Sequence, residues 1–217
     1  MSGTPASKKG FSAGPVRLVS VDLQYDFSRE GGAHYRPRPS VTFVKQRVLP
    51  ALLRAGARAA EILSDYRLPR HGTGHFCVPG SWGYTSELPE NAKVSPPWVK
   101  CAASPVWVRT GGGLANHTPG PPYADPSAFE AWLARCVGRP DAGSVVLVGL
   151  TLDRCVLATA QELDARGFCV AVMEEGVDTY SGDAAEKEAV LTGPVVKNWA
   201  QTVRWADVEG CLRSGGV

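Results

Sequence analysis

Short apolar runs and helix-period segments alternate along the chain. Val16-Arg17-Leu18-Val19-Ser20-Val21 and Val145-Val146-Leu147-Val148 are rich in β-branched residues and almost free of charge. Phe168-Cys169-Val170-Ala171-Val172-Met173 is a third such run. Runs of this kind read as strands covered on both faces, as in a parallel sheet. Between them lie segments with apolar residues three and four apart. Val41, Val44, Val48, Leu49 and Leu52 follow Ser40, a good N-cap, with Pro50 as a kink or a new start. Phe129, Trp132, Leu133 and Cys136 follow Asp125-Pro126, an N-cap with proline at the first helical position. Val156, Leu157, Ala160 and Leu163 precede Gly167, and a late helix spans Ala184 to Leu191. The order β-α-β-α predicts an α/β fold: a doubly wound parallel sheet flanked by helices, with right-handed crossovers.

Two polar residues stand out because they end buried strands. Asp22 closes the first run, and Cys155 follows the strand ending near Leu150, in the first turn of the next helix. Open α/β sheets place ligands in the crevice at the carboxyl ends of their strands. A helix N-terminus also favours thiolate over thiol. The plainer alternatives are a turn or N-cap aspartate and a small buried cysteine.

Composition narrows the classes. The chain has 217 residues, 44% hydrophobic and 20% charged, which suits one globular domain, predicted over 15–217 after a disordered tail at 1–14. A formal net charge of +2 gives no reason to expect nucleic acid or an anionic membrane as partner. No apolar run approaches the roughly 20 residues of a membrane span. Cys77, Cys101, Cys136, Cys155, Cys169 and Cys211 show neither C-x-x-C nor zinc spacing, so they read as reduced thiols of a cytoplasmic protein.

Several motifs resemble the isochorismatase-like cysteine hydrolases, the family of nicotinamidases and N-carbamoylsarcosine amidases. Gly149-Leu150-Thr151-Leu152-Asp153-Arg154-Cys155-Val156 is similar to the family's nucleophile turn, G-x-x-x-D-x-C-V. Val21-Asp22-Leu23-Gln24-Tyr25-Asp26-Phe27 resembles V-D-x-Q-x-D-F, whose first Asp is the general base. Pro79-Gly80-Ser81-Trp82-Gly83 with Glu87-Leu88-Pro89 resembles P-G-T-x-G…E-L-x-P, and Glu174 to Thr179 resembles the E-D-A segment. The family places a Lys about a dozen residues beyond E-L-x-P, where Lys100-Cys101-Ala102-Ala103-Ser104 keeps K-x-x-x-S. The resemblance therefore implies Asp22, Lys100 and Cys155 as catalytic residues. It also implies backbone N–H groups of Thr151 and Cys155 as the oxyanion hole, a cis Leu150–Thr151 peptide, and a dimer or larger homo-oligomer. The implied reaction is hydrolysis of a C–N bond in a small amide, ureide or carbamoyl compound through a thioester. A vinyl-ether hydrolase of the isochorismatase type and an inactive binding or scaffold protein are the alternatives.

The sequence departs from the family pattern in two places. The usual S-A-F is Ser104-Pro105-Val106, and a Gly/Pro-rich run follows to Pro122. This 105–124 stretch reads as an insertion and a candidate lid. An alternative alignment puts Arg109 in the cationic position, and Arg would not act identically. Nicotinamidases also carry D-x-H and a second His, where this chain has Arg67 and Thr73. Asp65, His71 and His75 are off that spacing, so no metal and no other cofactor is expected. Arg67 and Arg70 are candidate grips for a substrate carboxylate, or solvated arginines. Trp82 is a candidate pocket wall, or a packing residue. The loop from Gly31-Gly32 to Pro39 is placed to overlie the site.

Overall fold

The computed structural model describes Phe11, residues 15–68 and residues 74–212. Arg70, His71, Thr73 and all of the 1–14 segment except Phe11 lie outside the described residues. Phe11 packs against the core and donates its N–H to Gln201 Oε1 at 2.9 Å. The elements in chain order are β1 (Val16–Val21), α1 (Tyr25–Ser28), α2 (Pro39–Phe43), α3 (Leu49–Arg54), β2 (Ala60–Ser64), β3 (Trp98–Lys100), β4 (Trp107–Arg109) and β5 (Pro122–Ala124). They continue with α4 (Pro126–Cys136), β6 (Ser144–Leu150), α5 (Leu157–Ala165), β7 (Cys169–Asp178), α6 (Ala184–Thr192), α7 (Pro194–Lys197), β8 (Gln201–Val203) and α8 (Trp205–Val208).

Six strands form a parallel sheet in the order β3-β2-β1-β6-β7-β8. Chain order runs outward from β1 in one direction and from β6 in the other. The topological switch point therefore lies between β1 and β6, where such sheets open a crevice. Successive residues of the central strands face opposite sides. Leu18, Val146, Val148 and Leu150 pack with Val44, Val48, Leu52 and Trp205 on one face. Val19, Val21, Val145 and Leu147 pack with Phe129, Trp132, Leu133 and Leu163 on the other. This is the flanked sheet that the alternating pattern predicts.

Three local readings are corrected, and the kink or new start expected at Pro50 is found. Ser40 is not the N-cap of its helix, which begins at Pro39; its N–H is taken by Asp178 Oδ2 at 2.8 Å, so the cap comes from the end of β7. A π-helical turn over Val44–Val48 joins α2 to α3 just ahead of Pro50, whose missing N–H releases a carbonyl of the preceding turn. β7 runs on past Met173 to Asp178, because its register with β6 shifts between Leu147 and Gly149 and carries Glu174-Glu175 through as an irregularity. The Gly/Pro-rich run contains a two-stranded antiparallel ribbon, β4 with β5, pairing Val108 with Tyr123.

Gly149 marks the tightest packing at the switch point. Its φ is +121°, and a Cβ there would stand 2.0 Å from the carbonyl oxygen of Val21. Gly149→Ala therefore forces β6 away from β1. It is expected to cost about 3 kcal/mol or more, read as a fall in the chemical denaturation midpoint at unchanged slope.

Candidate active site

Asp22, Lys100 and Cys155 come together at the carboxyl edge of the sheet. Asp22 follows β1 at φ +50°, a left-handed conformation that aspartate tolerates better than most residues. Its N–H still bonds to Ile62 O at 2.9 Å, fixing the turn to β2. Lys100 is the last residue of β3, two strands away, and its stem reaches under β2. The Lys100 ammonium donates to Asp22 Oδ2 at 2.7 Å, to Ser64 Oγ at 2.7 Å and to the Tyr66 hydroxyl at 3.2 Å. An ammonium has three protons, and all three are used. Ser64 Oγ in turn donates to Asp22 Oδ1 at 2.9 Å. Both side chains of the Asp22–Lys100 pair are 0% exposed. Of the two cations considered for this position, Lys100 holds it. Arg109 lies in the ribbon and donates to Gly120 O at 2.8 Å.

Cys155 sits in a π-helical turn, Leu152–Val156, that opens α5. The widened turn is supported by the Thr159 hydroxyl, which donates to Cys155 O at 2.8 Å. Cys155 Sγ lies 3.8 Å from the Tyr66 hydroxyl. The Leu150–Thr151 peptide ahead of it is cis. Burial pushes the Cys155 thiol up to about 11; Lys100 opposes the rise and Asp22 adds to it. The expected thiolate-favouring environment is thus corrected. Desolvation of the sulfur outweighs the nearby ammonium and the helix N-terminus. Alkylation of Cys155 by iodoacetamide is expected to be slower than that of an ordinary exposed thiol at pH 7. It should then climb about tenfold per pH unit well beyond pH 9, followed by mass spectrometry of the Cys155 peptide.

The sulfur opens into a cavity of 520 Å³ walled by Phe27, His34, Tyr66, Phe76 and Tyr180. Thr151, Asp153 and Arg154 complete the side formed by the nucleophile turn. The Gly31–Pro39 loop reaches this cavity through His34. The 105–124 insertion contributes no lining residue, so it is not a lid over the sulfur. It is pinned elsewhere. Arg67 grips Asp65 through Nη2 at 2.6 Å and Nε at 2.9 Å, and its Nη1 donates to Leu114 O at 2.8 Å and His117 O at 2.7 Å. Asp65 also accepts the Gly113 N–H at 2.9 Å.

Arg67 is therefore neither solvated nor in the cavity. It is a strut between β2 and the insertion. The carboxylate that would have to serve a metal is committed to this guanidinium, and His75 Nδ1 lies against the Arg67 carbonyl oxygen. Asp65, Arg67 and His75 do not fit a cation site. Trp82 is 51% exposed, is not a lining residue, and tilts against Tyr25 at 5.3 Å. Asp26 accepts the N–H groups of Ala33 and Cys77, a structural duty.

Ser64, Tyr66, His34 and Tyr180 are missing from the sequence reading. Ser64 ends β2, Tyr66 follows it and Tyr180 follows β7, so the carboxyl-end rule applied to every strand would have found three of them. His34 is in an irregular loop that carries no such signal.

Searches against protein-family descriptions and against curated protein sequences find no match. Solved structures do match. The nicotinamidase/pyrazinamidase of Bacillus subtilis superposes with a TM-score of 0.59 at 17% identity, covering 87% of this chain and 99% of its own. The pyrazinamidase of Pyrococcus horikoshii, solved in complex with zinc, gives 0.59 at 19%, covering 88% and 99%. The N-carbamoylsarcosine amidase of Thermoplasma acidophilum gives 0.53 at 21%, covering 88% and 96%. The chain has the fold of the isochorismatase-like hydrolases.

Proposed function

We propose that the protein is a cysteine-dependent hydrolase of a C–N bond in a small amide, ureide or carbamoyl compound. The observation that carries this reading is the convergence of a carboxylate, an ammonium and a thiol at the switch point, beside a cavity of substrate size. Buried charges are expensive, and a Lys–Asp pair with no exposed surface is weak evidence for stability alone. Its placement beside a sulfur gives it a chemical use.

A protonated resting thiol makes Asp22 necessary. As Sγ attacks the amide carbonyl, the Asp22 carboxylate takes the thiol proton, so no free thiolate has to accumulate. Lys100 keeps the carboxylate in place and limits the cost of charge moving onto sulfur and oxygen. The oxyanion forms next to the backbone of Thr151 and Cys155, where each N–H donor is worth roughly 2.7–4 kcal/mol. Protonated Asp22 then gives its proton to the leaving nitrogen, the C–N bond breaks, and an acyl thioester remains. Water attacks it with Asp22 again as base, returning the thiol and a carboxylic acid. Summed over the cycle, one water is consumed and one amine or ammonia leaves.

The names of the matched proteins suggest the first substrates to test: nicotinamide, pyrazinamide and N-carbamoylsarcosine. The expected result is ammonia release from at least one of them, with acyl-Cys155 trapped by acid quench and detected by mass. Turnover with no acylated Cys155 under any quench, together with full activity after Cys155 is alkylated, would refute the proposal. A soluble location and a homo-oligomeric state fit this reading; among the described residues no helix is long and apolar enough to cross a membrane.

A further inference from the structure

Two loops far apart in sequence meet at the cavity, and neither belongs to the Asp22–Lys100–Cys155 cluster. His34 comes from one and Tyr180 from the other. Their side chains are bonded, His34 Nδ1 to the Tyr180 hydroxyl at 2.8 Å, and both line the cavity. The loops approach closely at Gly182, whose φ is +78° and where a Cβ would stand 2.8 Å from Pro37 O. Asp153, in the nucleophile turn, accepts the Tyr180 N–H at 2.9 Å.

Arg38 ties these parts together. It is 5% exposed, and among the described residues its guanidinium donates only to main-chain carbonyls. Nε donates to Thr179 O at 3.1 Å, Nη1 to Phe27 O at 2.7 Å and His34 O at 3.3 Å, and Nη2 to Tyr180 O at 2.6 Å. Among the described residues no carboxylate forms a salt bridge with it. Burying a guanidinium without an ion pair is costly. Here its donors are spent on four carbonyls, and three of those belong to cavity-lining residues.

We propose that Arg38 is a positioning residue for substrate selection. It fixes the His34–Tyr180 pair as the wall that holds the non-reacting part of the substrate, while proton transfer at Cys155 proceeds without it. The proposal rests on the reading of Cys155 as nucleophile. A loosened wall weakens ground-state and transition-state binding alike, so it raises the half-saturating concentration and spares the maximal rate.

The test compares two alkylating reagents at pH 9, iodoacetamide and N-benzyl iodoacetamide, whose benzyl group has to lie in the cavity. In Arg38→Met the half-saturating concentration of the benzyl reagent is expected to rise about tenfold. Its limiting rate and the iodoacetamide rate should stay within about twofold. A His34→Ala/Tyr180→Phe variant should show a similar rise, and adding Arg38→Met to it should change nothing further. Such non-additivity is the signature of action through the pair. Arg38→Lys keeps the charge but not the planar fork, and should give a smaller rise in the same direction. Equal losses with both reagents, additive effects, or no rise in Arg38→Lys would overturn the proposal, the last even if Arg38→Met does not fold. An unaltered protein whose Cys155 reacts with neither reagent refutes the nucleophile reading instead, and this proposal falls with it.

Discussion

Cys155→Ala should lower amide turnover by about 10⁴-fold or more, with the thermal midpoint and far-ultraviolet circular dichroism nearly unchanged. The substitution removes one sulfur from a cavity wall and leaves the hydrogen bonds of Asp22, Ser64 and Lys100 intact. Cys155→Ser should also lose about 10³-fold or more, because a hydroxyl is far harder to deprotonate than even this elevated thiol. Asp22→Asn keeps the shape of the base and removes its function, so it should lie close to Cys155→Ala, and the double variant should be no worse than either single one. The measurement is kcat/KM for ammonia release. Ammonia release retained in Cys155→Ala would eliminate the covalent route, whereas pyruvate release from isochorismate by that variant would favour the vinyl-ether alternative, which needs no thiol.

The second large effect is on stability. Lys100→Met removes the cation that, among the described residues, alone is bonded to the Asp22 carboxylate, which has no exposed surface. Stranding one partner of a buried pair costs about 3–5 kcal/mol, which for a chain of this size lowers the thermal midpoint by about 10 °C or more. Asp22→Asn/Lys100→Met, which removes both charges, should recover a good part of the loss in a calorimetric scan at pH 7. If Lys100→Met melts with the unaltered protein, the pair contributes nothing to the fold and the energetic account of the site is wrong.

Asp22 and Cys155 were legible because each follows a strand whose β-branched residues announce burial, and the carboxyl-end rule does the rest. Lys100 was not legible in that way. β3 is three residues long, too short for a period, and only motif spacing selected it over Arg109. Arg67 was misjudged because a charged residue's partner in space need not be conspicuous in sequence; Asp65 and the carbonyls of a distant insertion take the whole guanidinium. The thiol's pKa was misjudged for a related reason. The favourable contributions, a helix start and a nearby lysine, are visible along the chain. The burial that desolvates the sulfur exists only after folding. The ribbon of β4 and β5 was hidden by its composition, since glycine and proline signal turns and hide the pairing between them. His34, Tyr180 and Arg38 lie in segments with no periodicity, and main-chain carbonyls as acceptors leave no trace in residue identity.

The strand order has a consequence for biogenesis. The reacting groups sit just after β1, on β3 and in the turn after β6, and β6 must slot in beside β1, which is made well before it. Between the making of Lys100 and the making of β6, a growing polypeptide thus holds Asp22 and Lys100 with an open sheet edge where β6 belongs. Closing it is a long-range, late event of the kind that slows folding and exposes intermediates to aggregation. No amino-terminal fragment released before residue 156 can assemble the centre, and a nicked protein regains it only if its two pieces reassociate edge to edge.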